Sequence, residues 1–344
     1  MGRYYLSKNY KDSNGAGNKA KQDIEAIMSG LGYKNAGMKQ TKYKNPVAGF
    51  VITLIGVLKV LFTVSANDTV VLQYPLKKYY SFVCNLIHLK KGRVITVIHD
   101  LGTFRRKKLT AEKEMKRLSH TDVLIVHNMF MKKWLEGQNY TKPVVCLEIF
   151  DYLSHSAKAE CSPKDKDRLY SVIYAGGLSF KKNKFLYHLE NHIHEWDFIL
   201  YGNGFEKERI SKDDHFIYKG FTPSDDLIKA SDGDFGLVWD GDSINHCSGN
   251  FGEYLKLNNP HKTSLYIRCH LPVIIWEEAA LAKFVSENHI GICIRSLEEL
   301  DTILPAISEE EFHIMRQNTI EISRRLASGY YLKKALNEAL NINA

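Results

Sequence analysis

At 344 residues the chain exceeds the size at which a single hydrophobic core stops growing, so two domains are the starting expectation. An apolar fraction of 44% with 25% charged residues argues against a disordered or fibrous chain. Six cysteines, at 84, 146, 161, 247, 269 and 293, show no C-x-x-C and no paired spacing, which argues against a zinc site or a disulfide framework and fits reduced thiols in a cytoplasmic protein.

Arg3 to Leu6 reads as a strand rather than the start of a signal peptide, so secretion is not expected. Asn14-Gly15-Ala16-Gly17-Asn18-Lys19 follows and opens a helix; it either shapes a ligand site or completes a glycine-rich turn. The apolar run Val47 to Val64 has about the length of a minimal membrane span. Lys59 lies deep within it, however, and a strand-like segment starts at Asp68, so a buried crossover helix is the preferred reading over membrane insertion. Further strands are expected at 69–73, 93–99, 122–126 and 144–147, alternating with helices as in an α/β domain with a parallel sheet. The stretch 151–168, rich in Ser, Lys and Asp, reads as the interdomain linker. A second series then begins, with strands at 171–175, 197–201, 215–218, 235–239, 272–275 and 291–294, and closing helices follow from 309.

Charge divides with these halves. Residues 1–150 carry 25 Lys and Arg against 10 Asp and Glu, a balance of +15, whereas residues 151–344 carry 22 against 29, a balance of −7. The clusters Lys77-Lys78, Lys90-Lys91-Arg93, Arg105-Arg106-Lys107-Lys108 and Lys132-Lys133 could face an anionic membrane surface or water. No nucleic-acid motif accompanies them, so nucleic acid is not an expected partner.

Ligands in doubly wound sheets bind at the carboxyl ends of strands. In the second half those ends carry Gly176-Gly177, Tyr201-Gly202, Lys219-Gly220-Phe221 and Trp239-Asp240, where glycine either admits a ligand or completes a turn. The strongest local signal is Asn258-Asn259-Pro260-His261-Lys262-Thr263. Pro260 suits the first position of a helix and Asn259 its N-cap, so the helix start offers free amides and a positive dipole end to an anion. Lys262 in that first turn makes sense if a diphosphate lies against it; the alternative is a solvated lysine on a rim.

The block from Phe251 to Ile275, with Gly-Glu-Tyr-Leu-Lys, Asn-Asn-Pro-His-Lys, Ser-Leu-Tyr and Leu-Pro-Val-Ile, resembles the donor-domain signature of a group of bacterial GT-B glycosyltransferases. That group comprises β-1,6-galactofuranosyltransferases and the glucosyltransferases that extend adhesin glycans. Supporting matches lie at Asn14 to Lys21 with Asp23-Ile24-Glu25, at Gln73-Tyr74-Pro75, at Ile98-His99-Asp100 and at Trp239-Asp240-Gly241. The resemblance implies two Rossmann-like domains facing across a cleft: an acceptor-binding domain at 1–155, a nucleotide-sugar domain at 156–320 and a closing helix at 321–344 that often crosses back. Gly177 departs from the pattern, which has Asn there.

Strand-end loops and resemblance together give Gly176, Gly177, Lys182, Tyr201, Gly202, Lys219, Phe221, Trp239, Asp240, Asn258, Asn259, His261, Lys262 and Thr263 as candidates for the donor site. Asn14, Gly15, Gly17, Asn18, Lys19 and Tyr74 are the candidates for the acceptor site. Asp240-Gly241-Asp242 has the form of a metal-binding D-x-D, but Lys262 and a helix start can neutralise a diphosphate, so neither a metal nor a cofactor is expected. Asp100, with His99 as orienter or second candidate, ends an apolar strand and is the expected general base; the plainer reading is that it caps the following segment or pairs with Arg105 or Arg106. The expected activity is inverting transfer from a UDP-sugar, galactofuranose before glucose, to a glycan or lipid-linked oligosaccharide. The alternatives are a sugar-nucleotide epimerase of the same shape and a non-catalytic partner protein. A homo-oligomer is compatible with the sequence.

Overall fold

The computed structural model describes residues 1–10, 16–76, 79–105, 109–158, 168–212 and 214–342. Lys77, Lys78, Arg106, Lys107, Lys108, Cys161 and half of the expected linker (159–167) lie outside the described residues. The chain divides into two compact units, Met1–Asp151 with Gly329–Ala344, and Tyr152–Ser328.

The first unit holds a parallel sheet of β1 (Arg3–Tyr5), β2 (Lys34–Asn35), β3 (Thr69–Tyr74), β4 (Arg93–Ile98), β5 (Val123–Val126) and β6 (Val144–Cys146), in the order β2-β1-β3-β4-β5-β6. Every residue of β3 is buried, as is all of β4 after Arg93, because a parallel sheet under crossover helices is covered on both faces. The second unit holds β7 (Tyr170–Gly177), β8 (Trp196–Asn203), β9 (Phe216–Gly220), β10 (Phe235–Val238), β11 (Val273–Trp276) and β12 (Gly291–Ile294), in the order β12-β11-β10-β7-β8-β9. Both are doubly wound Rossmann-like arrangements. Strand order reverses between β1 and β3 in the first and between β7 and β10 in the second, and such reversals open the crevices where ligands bind.

A strand and a helix of the first unit depart from the sequence expectations. The edge strand β2 is only two residues long and has no apolar pattern to announce it. The apolar run expected as a core helix does form a helix, Pro46–Thr63, started by Pro46 and capped by Asn45 Oδ1, which accepts from the Val47 amide at 2.8 Å. Its core placement is corrected, because only Gly49, Gly56, Val57 and Val60 are buried. Val57 and Val60 join the core of the domain, Ile52, Leu54 and Leu61 are half-buried, and Val47, Phe50, Val51, Ile55, Leu58 and Phe62 are exposed.

The chain divides at Asp151 and Ser328 rather than at the expected 155 and 320. The helix Glu309–Ser328 stays with the second unit, where the buried Arg268 donates to Ser323 Oγ at 2.8 Å and to its carbonyl at 3.2 Å. Gly329, at φ 74°, turns the chain into the last helix, Tyr330–Asn341, which belongs to the first unit. That helix is held at both ends by distant charges. Asp151 accepts from the amides of Tyr331 (3.2 Å) and Leu332 (2.7 Å), and Arg93 donates to the carbonyls of Ala339 (2.9 Å) and Leu340 (3.1 Å). The Arg93 cation opposes the negative dipole end it caps, and Asp151 supplies acceptors to the free amides of the other end.

Candidate active site

At the reversal in the second sheet, β7 ends in Ala175-Gly176-Gly177 and β10 runs into Trp239-Asp240. Lys262, the second residue of the helix His261–Arg268, reaches this point. Its Nζ donates to the Tyr174 hydroxyl at 3.1 Å and the Trp239 carbonyl at 3.2 Å, and lies 3.2 Å from Asp240 Oδ1. Three acceptors match the three N–H groups of an ammonium, so the cation is fixed in position. Tyr174 in turn donates to Asp240 Oδ1 at 3.3 Å. The Lys262 and Asp240 side chains are only 16% and 12% exposed. Burial pulls the Lys262 ammonium below the usual lysine range, Asp240 opposes that pull, and Lys182 adds to it. Burial lifts the Tyr174 phenol well above its ordinary range, keeping it a neutral donor.

The helix start differs from expectation by one residue. Pro260 is the extended cap (φ −67°, ψ 128°) and, as a proline, offers no capping side chain, while Asn259 before it is buried. Its ψ keeps Pro260 outside the helix, which places His261 first. Tyr266 on the same helix accepts from the Ala175 amide at 2.8 Å and so ties the helix to the end of β7. Around this cluster, Asn258 Oδ1, Thr263 Oγ1 and Asn183 Oδ1 are buried without a hydrogen-bond partner, while Asn183 Nδ2 donates to the Gly177 carbonyl at 2.7 Å. Each such atom costs about 1–3 kcal/mol, which a polar ligand in the crevice would offset.

The remaining donor-site candidates divide. His261 stacks on Tyr152 with ring centroids 4.7 Å apart. Lys182 is exposed beside Gly177, with Nζ 5.7 Å from the Phe251 ring. Gly176 is exposed at the mouth of the crevice. Trp239 presents only its carbonyl, because its indole is buried and donates to the Ser243 carbonyl at 2.9 Å. Tyr201 is buried in β8, and Gly202 is there for packing: a Cβ on it would come within 1.8 Å of the Gly176 oxygen. Lys219 and Phe221 are exposed at the end of β9, two strands from the reversal and outside the Lys262 cluster. Of the D-x-D carboxylates, Asp240 pairs with Lys262 and the exposed Asp242 with Lys184 at 3.5 Å.

In the first unit, the ends of β3 and β4 carry Gln73 and His99. His99 Nε2 lies 2.7 Å from Gln73 Oε1, and its ring stacks on Phe150 at 5.5 Å. Asp100 forms an ion pair with Arg105, the plainer of its two sequence readings. His127, hydrogen-bonded to the Ile98 carbonyl at 3.1 Å, is pushed down to about 4 by burial, with Asp100 acting in the opposite direction. Tyr74, an acceptor-site candidate, is buried, donates to Glu114 Oε1 at 2.9 Å and packs edge-on against Tyr80. Lys19 pairs with Asp23 at 2.5 Å, Gly17 and Asn18 open the helix Ala16–Gly30, and Asn14 and Gly15 lie outside the described residues.

Sequence reasoning missed Tyr174, Tyr266, Asn183 and Gln73 as site residues. Tyr174 looks like any core residue of an apolar strand, and its hydroxyl gains a role only from Asp240 and Lys262, 66 and 88 residues further along. Glu25 was visible within Asp23-Ile24-Glu25 but carried no assigned role. It accepts from Ser7 Oγ at 2.7 Å and from the Tyr10 hydroxyl, and burial raises it to about 7.

Comparison with known proteins places the whole chain. Residues 3–149 match the family described as "Glucosyltransferase 3-like, N-terminal domain", and residues 172–339 match "Glucosyltransferase 3-like, C-terminal domain". The chain is 33% identical over 339 residues to the β-1,6-galactofuranosyltransferase WbbI of Escherichia coli (strain K12), covering 98% of each. It is 23% identical to Glucosyltransferase 3 of Streptococcus gordonii, over 82% of this chain and 81% of that one. Among solved structures, AviGT4, a glycosyltransferase involved in avilamycin A biosynthesis, superposes with a TM-score of 0.54 at 10% identity over 99% of both chains, a likeness of fold.

Proposed function

The chain belongs to the glucosyltransferase 3-like family of bacterial GT-B glycosyltransferases, and from that premise we propose that it moves a hexosyl residue from a UDP-sugar to a glycan acceptor, with inversion and without a metal. UDP-galactofuranose is the first donor and UDP-glucose the second. The observation that carries this reading is the end-to-end similarity to a β-1,6-galactofuranosyltransferase; the glucosyltransferase match is weaker and shorter.

In this reading Lys262 and the first amides of the His261–Arg268 helix receive the diphosphate, and Asp240 receives hydroxyls of the sugar. The leaving diphosphate gains charge in the transition state, so a fixed ammonium there lowers the barrier more than it strengthens ground-state binding. Asp100, with His99 beside it, takes the proton of the acceptor hydroxyl. The acceptor is a growing surface glycan or lipid-linked oligosaccharide met in the cytoplasm.

The test is release of UDP from a panel of nucleotide sugars, with and without a surface-glycan acceptor, followed by anomeric analysis of the product. Fastest turnover of UDP-galactofuranose to a β-linked product is expected. Preference for a GDP- or dTDP-sugar overturns the donor class, and a product that keeps the donor's anomeric configuration overturns inversion.

A further inference from the structure

The Pro46–Thr63 helix leaves Val47, Phe50, Val51, Ile55, Leu58 and Phe62 between 41% and 89% exposed. Their spacing of three or four residues lines them along one stripe, about 27 Å long for an 18-residue helix. A contiguous apolar surface of this kind marks an interaction site.

The surrounding charge indicates what covers it. Between Glu25 and Asp100 the chain has ten Lys and Arg and a single acidic residue, Asp68. Asp68 is buried and accepts from the Gly2 and Ser65 amides, so it offers no surface charge. Lys39, Lys42 and Lys44 are exposed immediately before the helix. A second copy docked stripe to stripe would bring the exposed Lys39, Lys42 and Lys44 of the two copies together. An anionic bilayer supplies both an apolar layer for the stripe and phosphates for the lysines.

We propose that the Pro46–Thr63 helix is a membrane-docking element that lies in the plane of an anionic bilayer, with its stripe at the boundary between headgroups and acyl chains. It does not span. Lys59 interrupts the run, the Gly49, Gly56, Val57 and Val60 face is held against the domain, and β3, which follows at Thr69, is fully buried inside the sheet.

Flotation of the full chain with vesicles tests this. Wild type is expected to float with phosphatidylcholine vesicles containing phosphatidylglycerol and not with phosphatidylcholine alone, and to be released by alkaline carbonate. The double variant Phe50→Ser/Phe62→Ser should bind at least about ten-fold more weakly, since it removes two rings from the acyl boundary. Lys39→Gln/Lys42→Gln/Lys44→Gln should lose about five-fold per lysine. All five side chains are exposed, so unchanged melting temperatures verify that the variants fold. Three outcomes overturn the proposal: variants that float like wild type, retention through carbonate, or a wild-type dimer in light scattering that the Phe variant dissolves while no vesicle binding is seen.

Discussion

Lys262 and Asp240 lie 3.2 Å apart at the carboxyl end of β10, and neither side chain is more than one-sixth exposed. The cation proposed to receive the donor diphosphate is therefore already neutralised within the protein. An incoming diphosphate must share this ammonium with Asp240 or draw it away. The pair also holds the ammonium in place before the donor arrives, and such preorganisation removes an ordering cost from binding.

Lys262→Ala should weaken UDP binding about ten-fold or more, because a charge-assisted contact is worth about 1.5–3 kcal/mol. The same change leaves Asp240 buried and unpaired, which destabilises a fold by about 3–5 kcal/mol. The double variant Lys262→Ala/Asp240→Asn separates the two effects: its melting temperature should recover while UDP affinity stays weak. Asp240→Asn alone should keep UDP affinity and slow transfer. Calorimetry showing wild-type UDP affinity in Lys262→Ala removes Lys262 from the donor site.

Transfer should continue in EDTA. Both carboxylates of the Asp240-Gly241-Asp242 sequence face lysines, so the leaving-group charge is assigned to Lys262 and backbone amides. Loss of turnover in chelator, with recovery on adding manganese or magnesium, would return the D-x-D to a metal-binding role.

Asp151 gives the last helix a pH-dependent anchor. Burial raises its carboxyl from 3.8 to about 7, against the pull of the Leu332 and Tyr331 amides. Between those two values the folded state holds a proton that the unfolded state has lost, so this residue's contribution is full below about 4 and declines as pH rises to about 7, by up to about 1.4 kcal/mol per pH unit. Asp151→Asn removes the titration and still accepts from one amide. Its melting temperature relative to wild type should therefore be higher at pH 8 than at pH 5. Asp151→Ala removes the cap altogether and should cost about 1–2 kcal/mol at pH 5. A wild-type and Asp151→Asn difference that is flat with pH rules out the linkage.

The strands were readable because each parallel strand is a short continuous apolar run, as Val94 to Ile98 shows, and a run of that kind has few other uses. The exposure of the Pro46–Thr63 helix was not readable. Composition reports that a segment is apolar but not whether the rest of the domain is wide enough to cover it. The Asn258 to Lys262 block stood out locally, yet the three partners of Lys262 lie 22, 23 and 88 residues away and meet only through the strand order β10-β7. The Asp151 cap spans 181 residues and depends on the last helix returning to the first unit, which no local pattern encodes.

Asp100→Asn should transfer sugar at least about a hundred-fold more slowly while binding UDP normally, since loss of a general base typically costs about 10²–10⁴ in rate. The competing assignment is His99. Gln73 Nε2 donates to the Lys21 carbonyl at 3.3 Å, which orients the amide so that Oε1 faces His99. His99 Nε2, 2.7 Å from that oxygen, is thereby already engaged in a hydrogen bond within the protein. Asp100 is held by Arg105, which can serve either to orient a catalytic carboxylate or merely to close a turn. Arg105→Ala distinguishes these roles. If the pair is only structural, Asp100→Asn and Arg105→Ala should lower the melting temperature alike and leave transfer by the folded protein near normal. If Asp100 is the base, its replacement should abolish turnover with little change in melting, whereas Arg105→Ala should retain measurable transfer. Near-normal transfer by Asp100→Asn, with turnover lost in His99→Gln instead, would move the proton to His99.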